Sequence, residues 1–385
     1  MTTQQPPHLD IDKVLDTARI IVCCGSGGVG KTTTAAALAL RAAERGRKVV
    51  VLTIDPARRL AQSMGLSELD NSPRKVEGID GSAGGSLDAM MLDMKRTFDD
   101  VVLSHSTPEK AEKILENPFY QSLSSSFSGT QEYMAMEKLG QLQESGEWEL
   151  VIVDTPPTRS ALDFLDAPQS LARFLDGKLL RLLVAPAKAG GRAYMKVVSA
   201  GFLTFTRLFT KIIGAQTLQD VGQFVAALET MFGGFRQRAE ETYRLLAAPG
   251  TAFVVVSAPE PAALREASYF VDRLVTDKMP LAGLVLNRVV RSTAPELPAE
   301  RALAAAEELE AAGTDPLTVA VLRIHAERVA VAQRQDRVAE RFSRAHPDVP
   351  RAEITALAGD VHDLEGLRVV AKELAEGPTD WRDVS

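Results

Sequence analysis

Lys31 and Thr32 close a run of small residues, Gly-Ser-Gly-Gly-Val-Gly-Lys-Thr from Gly25 to Thr32, that fits G-x-x-x-x-G-K-[ST] without adjustment. A loop of this kind wraps a polyphosphate with backbone N–H groups, and glycine lets the chain approach the anion in the dihedrals this demands. Gly25, Gly27, Gly28, Val29, Gly30, Lys31, Thr32 and Thr33 are therefore the candidate phosphate-contacting positions. Lys31 brings the ammonium that offsets β- and γ-phosphate charge, the Thr32 hydroxyl suits Mg²⁺, and the helix beginning near Lys31 adds its positive end. A glycine-rich turn that merely precedes a helix is the competing reading.

Two carboxylates are spaced to work with this loop. Asp154 follows the apolar run Leu150 to Val153, and Asp55 follows Lys48 to Ile54. Ligands of open parallel sheets gather at the carboxyl ends of strands, so both would face the phosphates. Asp154 suits the magnesium site, through water, and Asp55 suits orienting or deprotonating an attacking water. Either could instead cap the helix that follows, and Asp55-Pro56 makes a good cap pair. Asn287, after Leu281 to Leu286, carries donor and acceptor together and can pair with an adenine edge; a turn asparagine is the alternative.

The elements that must position these groups are legible as blocks. Arg19 to Cys24 (RIIVCC) reads as a buried strand, followed by the loop, an alanine-rich helix closed by Gly46, and a second buried strand over Lys48 to Ile54. Strand, loop, helix, strand implies a right-handed crossover and a parallel sheet. Further strands are expected at Leu87 to Leu92, Leu150 to Val153, Ala252 to Ser257, Leu281 to Leu286 and Val349 to Thr355. They are mostly continuous rather than alternating, as when helices cover both faces. The fold class is α/β, a P-loop NTPase with a doubly wound, mainly parallel sheet and a helical subdomain built from insertions. In this partition 1–12 is a flexible tail. The ATP-binding core takes 13–96, 148–160, 249–296 and 345–376, and the helical subdomain takes 97–147 and 161–248. Residues 297–344 are helices covering the core, and Asp70 to Ser86 is a surface loop.

Composition narrows the function classes. A net charge of −7 does not suit a protein that coats nucleic acid, which needs a basic face. Cys23 and Cys24, the only cysteines, are strand neighbours on opposite faces and do not pair. With no cysteine framework and no leader, the expected location is cytoplasmic. No apolar stretch reaches the ~20 residues that span a bilayer, so stable membrane insertion is not expected. Five scattered histidines form no metal-ligand spacing.

The chain resembles the deviant-Walker-A ATPases, and within them the ArsA family, which includes the arsenical-pump ATPase and the ATPase that delivers tail-anchored membrane proteins. The resemblance is closest to bacterial ArsA-like homologues. It rests on GGVGKTTT at 27–34, T-x-D-P-A at Thr53 to Ala57 and L-x-A-M-x-x-D at Leu87 to Asp93. It continues with D-T-x-P-T at Asp154 to Thr158 and L-V-x-N at Leu284 to Asn287. The resemblance implies an ATP/ADP- and Mg²⁺-dependent ATPase whose two subunits meet across the nucleotides. Asp55 would be the catalytic aspartate, Asp154 the magnesium-site aspartate, Asn287 the reader of adenine, and Ala356 to Asp360 the loop over the base.

Departures from the family pattern are equally informative. Ser26 stands where the signature lysine precedes the two glycines, and Asp154-Thr-Pro-Pro-Thr-Arg-Ser replaces Asp-Thr-Ala-Pro-Thr-Gly-His. A serine cannot carry the charge that crosses to a partner's phosphates. Either hydrolysis is slow, or a paralogue that keeps the lysine completes a heterodimer rather than a homodimer. Arg159 could restore a charged contact. Arsenite pumping is excluded because no thiolate cluster exists, and the C-x-x-C zinc clasp of the eukaryotic targeting ATPases is missing. Val197 to Ile213, with Phe202, Phe205, Phe209 and Ile212 at helical intervals, could line a groove for an apolar protein client, with Met134, Met136, Met195 and Met231 making it adaptable. The subdomain's own core and a membrane-surface face are the alternatives.

Overall fold

The computed structural model describes residues 6–55, 59–117, 120–121, 130–156, 237–238 and 240–377. In chain order the elements are α1 (Ile11–Thr17), β1 (Ile20–Cys24), α2 (Lys31–Glu44), β2 (Lys48–Thr53), α3 (Arg59–Ser63), β3 (Arg74–Lys75) and β4 (Ser86–Met91). Next come α4 (Met94–His105), α5 (Pro108–Leu115), α6 (Thr130–Ser145), β5 (Leu150–Asp154), β6 (Thr251–Ser257), α7 (Pro261–Thr276) and β7 (Leu281–Val289). The chain closes with α8 (Ala299–Ala311), α9 (Pro316–Ala345), β8 (Arg351–Thr355) and α10 (Leu364–Glu376). It divides into two compact units, one of Met1–Met91, Gly146–Ala161 and Leu246–Ser385, the other of Leu92–Ser145 and Leu162–Leu245.

The first unit is built on one eight-stranded sheet in the order β3-β4-β2-β5-β1-β6-β7-β8. Every pair is parallel except β3 with β4. Strands β1, β5 and β6 are buried along their whole length, with α2 packed against β1 and β5 and α7 against β6. The alanines of α2 let it lie close: Ala35, Ala36, Ala37, Ala39, Ala42 and Ala43 are all fully buried. Strand β1 sits centrally, so the loop that leaves it opens at the middle of the sheet's carboxyl edge.

Two expectations about organisation are corrected. Residues within 1–12 are part of the packed body. Leu9 N–H donates to the Arg351 carbonyl, and the Arg351 N–H donates to the Pro7 carbonyl, so this segment covers the free edge of β8. Leu9 and Ile11 are buried, and Asp10 caps α1 by accepting from the Lys13 N–H. The Asp70 to Ser86 loop contains β3, a two-residue antiparallel edge, and a 3₁₀ turn over Gly81–Ala83. Helices α8 and α9 form a hairpin that packs on α7 and on the segment leaving β7.

In the second unit α4 packs between α5 and α6, with Phe98 edge-on to Tyr120 and a buried ion pair between Arg238 and Glu137. Met134 and Met136 are fully buried there, so they belong to that unit's core instead of an adaptable surface. Val197 to Ile213, Met195, Met231 and Arg159 lie outside the described residues. Among the described residues no helix is long and apolar enough to cross a membrane.

Candidate functional site

Strand β1 ends at Cys24 and the chain turns immediately. Gly25 takes φ +151°, and a Cβ there would stand 2.1 Å from the Val256 carbonyl oxygen on β6. Only glycine fits this approach. Gly28 (φ +76°) and Gly30 (φ +94°) carry the loop round to the start of α2, where Gly30 occupies the N-cap. The loop therefore delivers its N–H groups to the amino end of a 14-residue helix.

Asp154, the last residue of β5, is fully buried beside the loop. Its Oδ2 accepts from Thr32 Oγ1 at 2.8 Å and from Thr53 Oγ1 at 3.0 Å, while Oδ1 is buried with no hydrogen-bond partner among the described residues. Burial pushes its carboxyl up to about 6, against the pull of those two hydroxyls and of Lys31. A buried carboxylate oxygen lacking a donor, next to a threonine hydroxyl, is a donor set for a hard cation that takes oxygen ligands. Thr32 and Asp154 thus fit Mg²⁺, directly or through water.

Lys31 is buried and donates from Nζ to the Ser26 carbonyl at 2.8 Å. Burial lowers its ammonium's pKa, and Asp154 and Asp55 work in the opposite direction. Asp55 lies two residues past β2 rather than at its last position, with its N–H donating to Thr53 Oγ1 at 3.2 Å. Thr53 so links the two carboxylate segments. Pro56, which would make Asp55 a cap, is outside the described residues, as are residues 157–160 of the second switch segment.

A cavity of about 660 Å³ is lined by Gly28, Gly30, Lys31, Thr32, Thr33 and Asp55. That volume is in the range of small-molecule sites. Arg288 and Asp360 to His362 line the same cavity, as do Gln62 and Ser63 of α3. Gly25, Val29 and Asp154 are buried and Gly27 is exposed, and none of the four lines the cavity. Gln62, Ser63, Arg288, Val361 and His362 were not among the expected site residues, although Asn287 and Asp360, next to two of them in the chain, were. Of the expected base loop, Asp360 lines the cavity, and the Ala356 N–H donates to the Val289 carbonyl.

Asn287 is engaged with protein. Its Nδ2 donates to the Val29 carbonyl at 2.8 Å, and its Oδ1 accepts from the Arg288 N–H at 2.9 Å. One N–H and one lone pair remain for a base edge, so the amide joins β7 to the phosphate loop in addition to any pairing. Cys23 and Cys24 are free and buried, with burial pushing both thiols up, Cys24 to about 12. They are structural residues beneath the loop, not reactive thiols.

The chain matches a family model described as anion-transporting ATPase over residues 18–313. It is 27% identical over 283 residues to ATPase GET3 of Podospora anserina, covering 73% of this chain and 76% of that one. It is 26% identical over 294 residues to ATPase ASNA1 homolog 1 of Paramecium tetraurelia, covering 74% and 80%. A further match, 31% identical over 173 residues, is to ATPase GET3 of Malassezia globosa; it spans 44% of this chain and 49%, about half, of that relative. With the glycine loop, its lysine and threonine, and the buried aspartate all assembled on one sheet edge, the chain belongs to the ArsA family of anion-transporting ATPases.

Proposed function

We propose that the cavity over the phosphate loop binds ATP with Mg²⁺ and hydrolyses it, and that nucleotide state governs the pairing of two subunits and the handling of an apolar protein client. The observation that carries the site is the 2.8 Å contact between Thr32 Oγ1 and Asp154 Oδ2, beside an Asp154 Oδ1 with no hydrogen-bond partner among the described residues. Bound Mg²⁺ would draw charge from the phosphate oxygens. The chain's own groups do the rest. Backbone N–H groups of Gly28 to Thr33 hold the phosphates, and the Lys31 ammonium stands against the charge that spreads over the γ-phosphoryl oxygens. Asp55 accepts a hydrogen bond from the attacking water and sets its line of approach. Water's oxygen bonds to the γ-phosphorus as the bond to the β–γ bridging oxygen breaks, leaving ADP, phosphate and a proton.

Calorimetric titration with magnesium-ATP tests the site. Wild type gives a saturable heat, Lys31→Ala gives none, and Asp55→Asn binds but turns over at least tenfold more slowly. Loss of binding in Asp55→Asn would return Asp55 to a structural role.

A second reading is favoured by Ser26: the chain is a catalytically weak nucleotide-binding subunit, and a lysine-bearing paralogue completes a cytoplasmic heterodimer. The client reading draws on the family resemblance alone. A fluorescent apolar helical peptide that binds the full chain equally in ADP and in a non-hydrolysable ATP analogue would remove it.

A further inference from the structure

Strand β2 ends at Thr53, which pairs across the sheet with Asp154, the last residue of β5. The backbone bonding runs one residue further, where the Ile54 N–H donates to the Asp154 carbonyl at 2.9 Å. Asp55 comes next, and its N–H turns to a side chain, donating to Thr53 Oγ1 at 3.2 Å. A threonine that accepts from the N–H two residues on makes an ordinary turn at a strand end. Such a turn uses a lone pair of the hydroxyl and leaves its proton free.

Here the proton is committed. Thr53 is 1% exposed, so water does not take it. Two acceptors lie within reach, Asp154 Oδ2 at 3.0 Å and the Asp55 carbonyl at 3.4 Å. A hydroxyl has one proton to give, and the closer carboxylate oxygen takes it. Thr32 Oγ1 donates to the same Oδ2 at 2.8 Å, so two hydroxyls on different elements fix the Asp154 carboxylate by one oxygen. The Thr53 oxygen therefore joins the side chain of Asp154 to the backbone of Asp55. Thr53 itself does not line the cavity, whereas Asp55 does.

We propose that Thr53 is a positioning residue for hydrolysis: its hydroxyl ties the Asp55 backbone to the Asp154 carboxylate and so sets where Asp55 stands beside the phosphate loop. The proposal rests on the reading of Asp55 as the residue that aligns the attacking water. Valine in place of Thr53 keeps the branched shape and leaves the Asp55 N–H and Asp154 Oδ2 without this bond. Asp55 then loses the tie that carries the order of the strand past its last backbone bond. A displacement of about 1 Å at such a group slows a reaction by roughly a hundredfold.

The test measures single-turnover hydrolysis, calorimetric affinity for magnesium-ATP and amide hydrogen exchange on the full chain. Thr53→Val removes the hydroxyl, Thr53→Ser keeps it, and Thr53→Ala guards against a valine that the strand end does not accept. Thr53→Val is expected to cleave bound ATP at least about tenfold more slowly, with affinity within about twofold of wild type. Thr53→Ser restores the rate. Without nucleotide, the Asp55 amide exchanges faster in Thr53→Val and Thr53→Ala than in wild type, and Thr53→Ser protects it again. In an Asp55→Asn background Thr53→Val slows cleavage no further, since it acts through Asp55. Affinity that falls in step with the rate would place the hydroxyl in nucleotide binding and overturn the positioning role. An unchanged rate, an unchanged exchange, a serine that fails to rescue, or full extra slowing on top of Asp55→Asn overturns it as well. A wild-type chain that binds magnesium-ATP and never cleaves it overturns this role alone, because Asp55 then aligns no water. One that gives no heat with magnesium-ATP removes the nucleotide site and the role with it.

Discussion

The loop's glycines are not equivalent, and the difference is measurable. Gly25 and Gly28 both take positive φ, but a Cβ on Gly25 would run into the β6 backbone at 2.1 Å, whereas a Cβ on Gly28 meets nothing within 4 Å. Gly28→Ala incurs only the left-handed penalty, about 1 kcal/mol. Gly25→Ala adds a clash with a strand that cannot move, for a loss on the order of 3 kcal/mol. Urea denaturation of the two variants checks this, and equal losses would show that the loop, not β6, yields. Asp154 gives a second prediction. A buried carboxylate with one oxygen lacking a donor destabilises the ligand-free site. Asp154→Asn should therefore melt no lower than wild type without magnesium, yet lose the rise in melting temperature that magnesium-ATP gives. A variant that melts well below wild type in the absence of ligand would make Asp154 a structural anchor.

At the scale of elements, α1 is the piece that the chain's beginning does not advertise. Asp12 accepts two hydrogen bonds from Arg41, at 2.6 and 2.8 Å, and one from Arg45, tying α1 to the outer face of α2. These bonds hold the Asp12 carboxyl below its ordinary value of 3.8. A folded pKa below the unfolded one means stability that is complete above about 4 and is lost as pH falls through the lower, folded value. Asp12→Asn should therefore cost about 1 kcal/mol at pH 7, a modest figure because the pair is partly exposed, and progressively less in acid. Urea midpoints at pH 7 and pH 3 measure it; a penalty that persists unchanged in acid would refute the ion pair as its source. The same region shows what the sequence could carry. β1, β2, β5 and β6 were legible because uninterrupted apolar runs such as LVIV can only be buried. α1 was not, since Leu9, Ile11 and Leu15 are sparse among charged residues and their burial depends on β8 and α10, distant in the chain. β3 is two charged residues on an edge and has no periodicity to read. The phosphate loop and Asp154 were legible for the opposite reason, that their chemistry is encoded locally. The register shift of β7 against β8 between Leu286 and Val289 depends on their pairing, which no local pattern records.

The whole molecule must reconcile a complete phosphate loop with an incomplete charge. Lys31 is the loop's ammonium, and Ser26 contributes only its carbonyl, which accepts from Lys31. If turnover in this family requires a lysine delivered from a second subunit, wild type should be slow for want of that charge, not for want of binding. The defect can then be moved between chains. A chain carrying Ser26→Lys together with Lys31→Ala offers the crossing lysine but cannot hold nucleotide; wild type holds nucleotide but lacks the lysine. Mixed in magnesium-ATP, the two should hydrolyse at least tenfold faster than either alone, since removing a charge that meets the transferring phosphoryl group commonly changes rates by more than that. Light scattering on the same mixture should show a dimer in a non-hydrolysable ATP analogue and a smaller species in ADP. Rates that merely average, with a monomer in every nucleotide, would mean that each chain works alone and that Ser26 closes the loop without a partner. Fast turnover by unmixed wild type would mean that another cation already supplies the missing charge, and the search would move to Arg159 in the second switch segment.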